Sequence, residues 1–177
     1  MISPVNNKIF YIIFFSLFFV RLNIAFAVEG SPQDIVKKYY TADLNGVRLS
    51  GQTYENIKPL ITWEHEPGWD TEFITDEVKI YSTKLNNDEA LVEVRYHIIG
   101  IFSGENLLKY DFNEVIDFIL IREGKEWKIK KPIFPPHVLP STAIRHLEYL
   151  IRIEGTRDTS KVEKIKHNIE RLRDMAK

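Results

Sequence analysis

Residues 111–137 read Asp-Phe-Asn-Glu-Val-Ile-Asp-Phe-Ile-Leu-Ile-Arg-Glu-Gly-Lys-Glu-Trp-Lys-Ile-Lys-Lys-Pro-Ile-Phe-Pro-Pro-His, and this stretch predicts a β-hairpin. Its first arm, 115–121, is dense in β-branched and aromatic side chains, and Glu123-Gly124-Lys125 supplies the turn. In the return arm Trp127 and Ile129 alternate with Glu126, Lys128 and Lys130. Pro132, Pro135 and Pro136 end the ladder, because proline has no amide hydrogen to give it.

Upstream, residues 78–85 predict a strand, Asn86-Asn87-Asp88 a turn, and 90–101 a longer strand. In the longer strand Val92, Val94, Tyr96 and Ile98 share one face, and Glu93, Arg95 and His97 share the other, a pattern expected of one core face and one salt-linked polar face. Ser103-Gly104-Glu105-Asn106 is a loop returning the chain toward the hairpin. Before the strands, Ser31-Pro32-Gln33-Asp34 predicts a helix start, with a serine cap, proline at the first helical position and an acid near the positive end of the dipole. Ile35, Val36, Tyr39 and Tyr40 follow at helical spacing, and Asn45-Gly46 stops the helix. Residues 54–62 predict a second helix, bent or interrupted by Pro59, and 63–70 an aromatic-rich loop.

After the prolines, Ser141 is placed to cap a helix through Ile153, with Ile144, Leu147 and Ile151 on one stripe and Gly155 as its end. Ser160-Lys161-Val162-Glu163 reads as a capping box opening a last helix. There Val162, Ile165, Ile169 and Leu172 are spaced three, four, three, as in a coiled-coil seam. Two heptads fit equally an amphipathic helix docked on its own domain.

Residues 1–27 carry Lys8, an apolar run over 9–20 and a small-x-small ending at Ala25-Phe26-Ala27, the pattern of a secretory signal cleaved after Ala27. Arg21 limits the uninterrupted apolar run to about a dozen residues, below the ~20 that a membrane span needs. The expected mature chain is therefore exported, periplasmic or secreted, and free of the membrane. It comprises a domain at 28–140 and a helical extension at 141–177. Removing Lys8 and Arg21 leaves 22 basic against 25 acidic side chains, a net charge of −3 that disfavours nucleic acid as a partner. The chain has no cysteine, which excludes a disulfide framework, thiol chemistry and a lipid-modified cysteine.

The capped helix ending in Tyr39-Tyr40, the irregular middle and the closing sheet with a Gly124 turn followed by Trp127-Lys128-Ile129 resemble the nuclear-transport-factor-2-like superfamily over residues 31–137. That superfamily also holds ketosteroid isomerases and polyketide cyclases. Glu66-Pro67-Gly68-Trp69-Asp70, Glu126-Trp127-Lys128-Ile129, Pro135-Pro136-His137 and Ala143-Ile144-Arg145-His146-Leu147 are similar, more narrowly, to exported bacterial members. The resemblance implies an α+β fold in which N-terminal helices pack in a strongly curved antiparallel sheet, a cone whose open end holds a small molecule, here followed by a C-terminal helical extension. Members use the cone as an enzyme site, as a ligand pocket, or as a core beside a dimerising sheet.

An isomerase-type site would need a pocket tyrosine, for which Tyr40 and Tyr96 are available, and a carboxyl group tuned by burial. Asp117 is the acid deep within a predicted strand, but parity sets it opposite in face to Ile116, Phe118 and Leu120, so it points away from the cone. Asp70, at the end of the aromatic loop, is the other weak candidate. Trp63 and Trp69 flank Pro67-Gly68, and rings at a cone's mouth suit a wall or lid for an apolar ligand, or else a plug of ordinary core. Tyr40, Trp63, Trp69 and Tyr96 are thus the expected ligand-binding set. Glu64, His65 and Glu66 have metal-ligand side chains, but neighbours in an extended loop point in different directions and no second cluster answers them, so neither metal nor cofactor is expected. The preferred expectation is a non-catalytic module for a small apolar ligand, a protein partner, or a homodimer formed through the sheet face or the last helix. The alternative is a small isomerase- or cyclase-type enzyme.

Overall fold

Helix α1, Pro32–Leu44, begins where the sequence places it. The Ser31 hydroxyl accepts from the Asp34 amide at 3.2 Å, and the Asp34 carboxylate accepts from the Ser31 amide at 2.8 Å, a reciprocal capping box. At the other end the Asn45 side chain donates to the Thr41 carbonyl, and Gly46 takes φ +82°. A Cβ at Gly46 would also lie 2.8 Å from Thr142 Cγ2, so both conformation and close packing call for glycine there. The computed structural model describes residues 30–154 and 158–177. The expected signal segment and the Gly155 stop lie outside them.

The single bent helix expected over 54–62 is replaced by α2, Gly51–Tyr54, and a separate 3-10 turn, Lys58–Leu60, after an earlier 3-10 turn at Val47–Leu49. Pro59 withholds an amide and disfavours helical backbone at the residue before it. Ile57 and Ile61 nevertheless both reach the core from these short turns.

Five strands follow: β1 Thr71–Asn86, β2 Glu89–Ser103, β3 Asn106–Glu123, β4 Glu126–Lys131 and β5 His137–Val138, in the order β4-β3-β2-β1-β5. The first four are antiparallel neighbours, and β5 lies parallel to β1, with Phe73 opposite His137. The hairpin of residues 111–137 closes through Glu123 opposite Glu126, with Gly124 at φ +64°. Register shifts at Ile74/Thr75, Thr75/Glu77, Ile80/Ser82 and Ile98/Gly100 bend the long strands. At one of these bulges the fully buried Thr75 hydroxyl lies 2.7 Å from the His97 carbonyl and 3.1 Å from that of Glu77, satisfying groups that the broken ladder leaves.

The sheet carries a core on each face. On the concave face Val92, Val94, Tyr96, Ile98, Ile116, Phe118 and Leu120 pack with Ile35, Val36 and Tyr39 of α1. The register shifts at Ile74/Thr75, Thr75/Glu77 and Ile98/Gly100 interrupt the strict alternation of faces, so Ile74, Ile99, Phe102 and Leu107 face outward. They meet α3, Pro140–Glu154, and α4, Thr159–Met175. Ile165, Ile169 and Leu172 are buried in this second core, so most of the apolar seam of the last helix is covered by the chain itself. A Cβ at Gly100 would lie 2.5 Å from Met175 Cε, so the glycine lets α4 approach β2. The cap of α4 is Asp158, which accepts from the Lys161 amide at 3.0 Å, rather than the expected Ser160. Among the described residues no helix is long and apolar enough to cross a membrane.

Candidate functional site

Asp43 lies one helical turn beyond Tyr39 on the apolar stripe of α1, and the fold buries it completely. Its Oδ2 accepts from Arg48 Nη1 and from the His137 amide, both at 3.1 Å. The Arg48 guanidinium donates onward to Glu66 Oε2, from Nη2 at 2.7 Å and Nε at 3.0 Å, and to the Phe134 carbonyl. It also lies 5.2 Å from the Phe134 ring centroid. Glu66 in turn accepts from the indoles of Trp63 at 3.2 Å and Trp69 at 3.4 Å, which fixes the aromatic loop. Burial pushes the Asp43 carboxyl up, opposed by Arg48 and His137. Burial works against the Arg48 charge, but Asp43, Tyr39 and Glu66 outweigh it and hold the guanidinium protonated.

Beside this triad opens a cavity of about 610 Å³, enclosed by the 48–54 turns, the 65–72 segment, the end of β2 and α3. Leu147, Leu150, Ala143 and Phe102 supply apolar wall, and Tyr54 and Trp69 supply aromatic wall. Into this wall β1 brings Glu72, directly opposite Phe102 of β2. Glu72 is half-buried, and its Oε1 is fully buried with no hydrogen-bond partner. Burial, reinforced by the negative charge of Asp43, pushes its carboxyl up to about 7. On the α3 side burial lowers the His146 pKa, which keeps that imidazole neutral at pH 7. The Tyr54 hydroxyl is buried without a partner, and burial followed by the charge of Glu66 raises its pKa. Among the described residues, no group of three or more His, Cys, Asp or Glu is placed to hold a metal ion.

Of the residues singled out from the sequence, Trp69 and Asp70 line this cavity. Tyr96 is fully buried in the concave core against the His137 ring, 4.6 Å between centroids. Trp63 stands edge-on to Tyr39 at 6.3 Å, and Tyr40 is half-buried against the same core. These three serve the core and the triad rather than the cavity wall. Asp117 is exposed on the outer face opposite Glu93, where strand parity puts it. Glu72, Tyr54 and His146 were not among the sequence candidates. The usable signal was Asp43, an acid on a helix's apolar face, which demands a buried partner. No comparable signal marks Glu72, which lies between the aromatic loop at 63–70 and the strand expected at 78–85, a strand that in the structure begins already at Thr71.

The helices lying in a strongly curved antiparallel sheet are the α+β cone that the nuclear-transport-factor-2-like resemblance implies. No protein-family model matches the chain, and no curated protein matches it. A solved chain from Campylobacter jejuni, described as a "Putative NTF2-like transpeptidase", is similar to 58% of this chain and 100% of its own length, with 15% identity and a TM-score of 0.29.

Proposed function

We propose that the chain is an exported binding module whose cavity takes a small organic cation, an amine on an apolar body. The observation that carries this reading is Glu72, a carboxyl group with an unpartnered buried oxygen, set in a cavity wall that Phe102, Leu147, Leu150, Tyr54 and Trp69 also form. The other charges around the cavity favour the same ligand. Arg48 and Glu66 neutralise one another, His146 is neutral, and Asp70 adds negative charge at the rim. Tyr54 and Trp69 offer ring faces of the kind that hold cations. The secretory pattern of residues 1–27 supports export, and the mature protein recovered from its host should have an intact mass that begins at Val28.

Titration calorimetry with phenethylamine, phenethyl alcohol and phenylacetate tests the ligand class. The amine should bind best and the carboxylate not at all. Amine affinity should rise with pH through about 7 as Glu72 loses its proton, and Glu72→Gln should abolish that rise. Equal binding of all three compounds would discard the cation reading.

The same Glu72 favours a second reading, an isomerase- or cyclase-type enzyme in which a carboxylate titrating near neutrality moves a proton with Tyr54 as donor. Glu72-dependent uptake of solvent deuterium next to the carbonyl of a bound ketone would support it over simple binding.

A further inference from the structure

The cavity wall holds a second carboxylate, and the backbone fixes where it stands. Glu72 lies opposite Phe102 in the β1–β2 ladder, and the Gly104 amide donates to the Asp70 carbonyl at 2.7 Å. The ladder's extended course therefore continues past Thr71 to Asp70. Residues two apart in an extended strand share a face, and Asp70, Glu72, Phe102 and Gly104 all line the cavity. Phe102 belongs to the outward core under α3, so this wall lies on the α3 side of the sheet and not in the concave core.

Neither carboxyl group is matched by a cation among the described residues. Glu72 Oε1 has no hydrogen-bond partner, and the Asp70 carboxylate accepts a long bond, 3.4 Å, from the Thr71 hydroxyl. No lysine lines the cavity, and its arginine, Arg48, already donates to Asp43, Glu66 and the Phe134 carbonyl. The two acids differ in depth, since Glu72 is half-buried and Asp70 is exposed. Side chains on one strand face stand roughly parallel, so the two carboxyl groups are spaced much as their Cα atoms are, about 6.6 Å apart. Leu147 and Leu150 of α3 supply apolar surface in the same cavity. A single ammonium group would answer only one of the two acids. Given the cation reading of this cavity, on which the step rests, we infer that the ligand is an α,ω-diamine. One ammonium group sits on Glu72 inside and the other on Asp70 at the rim, joined by about four or five methylenes that pack on the leucines.

Titration calorimetry of the chain as its host produces it, at about pH 8 where Glu72 is mostly ionised, compares pentylamine, 1,5-diaminopentane and 1,3-diaminopropane. The five-carbon diamine should bind at least about threefold tighter than pentylamine, the gain expected of one more ion pair near the surface. The three-carbon diamine is too short to reach both acids and should show no such gain. Asp70→Asn, at an exposed position that the fold does not depend on, should bring the five-carbon diamine down to the level of pentylamine. Glu72→Gln should weaken both five-carbon amines. A diamine that binds no tighter than pentylamine overturns the inference and leaves the cation reading standing. So does an advantage that survives Asp70→Asn or is shared by the three-carbon diamine. If pentylamine, phenethylamine and both diamines all fail to bind, the cation reading falls and the inference falls with it.

Discussion

Asp43 has no solvent contact, and Arg48 is the largest of the influences that oppose the upward push of burial on its carboxyl group. Replacing one partner of such a pair leaves the other buried and uncompensated, so Arg48→Met should cost about 3–5 kcal/mol in urea unfolding. Asp43→Asn combined with Arg48→Met should cost less than the single change, because Glu66, still held by the two indoles, is then the one carboxylate of the triad left without its cation. Glu72 has the opposite character, since it is half-buried, with Oε1 out of contact with water and no cation to hold its charge. Its folded-state pKa of about 7 lies above the ordinary 4.5, so its contribution to stability is complete below pH 4.5 and is lost as pH rises through 7. The loss is of order 3 kcal/mol. Glu72→Gln should therefore raise the melting midpoint at pH 8 and leave it nearly unchanged at pH 4.5. A midpoint that moves equally at both values would mean that the carboxyl group is not desolvated.

At the scale of elements, the central hairpin and the last helix each hold one of the two cores. Trp127 is 4% exposed in the concave core beside Ile129, with the Arg122 guanidinium 5.3 Å from its ring. Trp127→Ala should cost about 3–5 kcal/mol by emptying that site, and thermal melts will read it directly. Helix α4 covers Phe102 and Leu107 with Ile165, Ile169 and Leu172. Deleting residues 159–177 should therefore lower the melting midpoint substantially; an unchanged midpoint would make α4 an appendage rather than part of the fold. Leu172→Ala, at a fully buried position, should cost about 2–5 kcal/mol without removing the helix. The spacing of α4's apolar residues was legible beforehand, but it fits a partner's groove and the chain's own sheet equally well. The identity of the covering surface came from β2 and β3, some sixty residues earlier.

Across the whole molecule, what was legible depended on how far apart in sequence the deciding groups lie. The Ser31 cap, the Gly46 stop, the Gly124 turn and the alternating faces of β2 and β3 each rest on neighbours within a few residues, where rotamer, dihedral and hydrogen-bond preferences act without help from the fold. So the sequence alone determined the leading helix, the four antiparallel strands, the direction in which Asp117 points and the curved α+β class. The outward core under α3 and α4 and the bulges that bend β1 and β2 were settled by packing between distant segments. The candidate site belongs to this second group. Its triad joins residues 43, 48 and 66 to the backbone at 134 and 137, and its cavity sets Glu72 of β1 against α3. A pKa near 7 is a property of water excluded by all of these segments together. Only the tertiary structure could produce it, because burial is not encoded by any one stretch of chain.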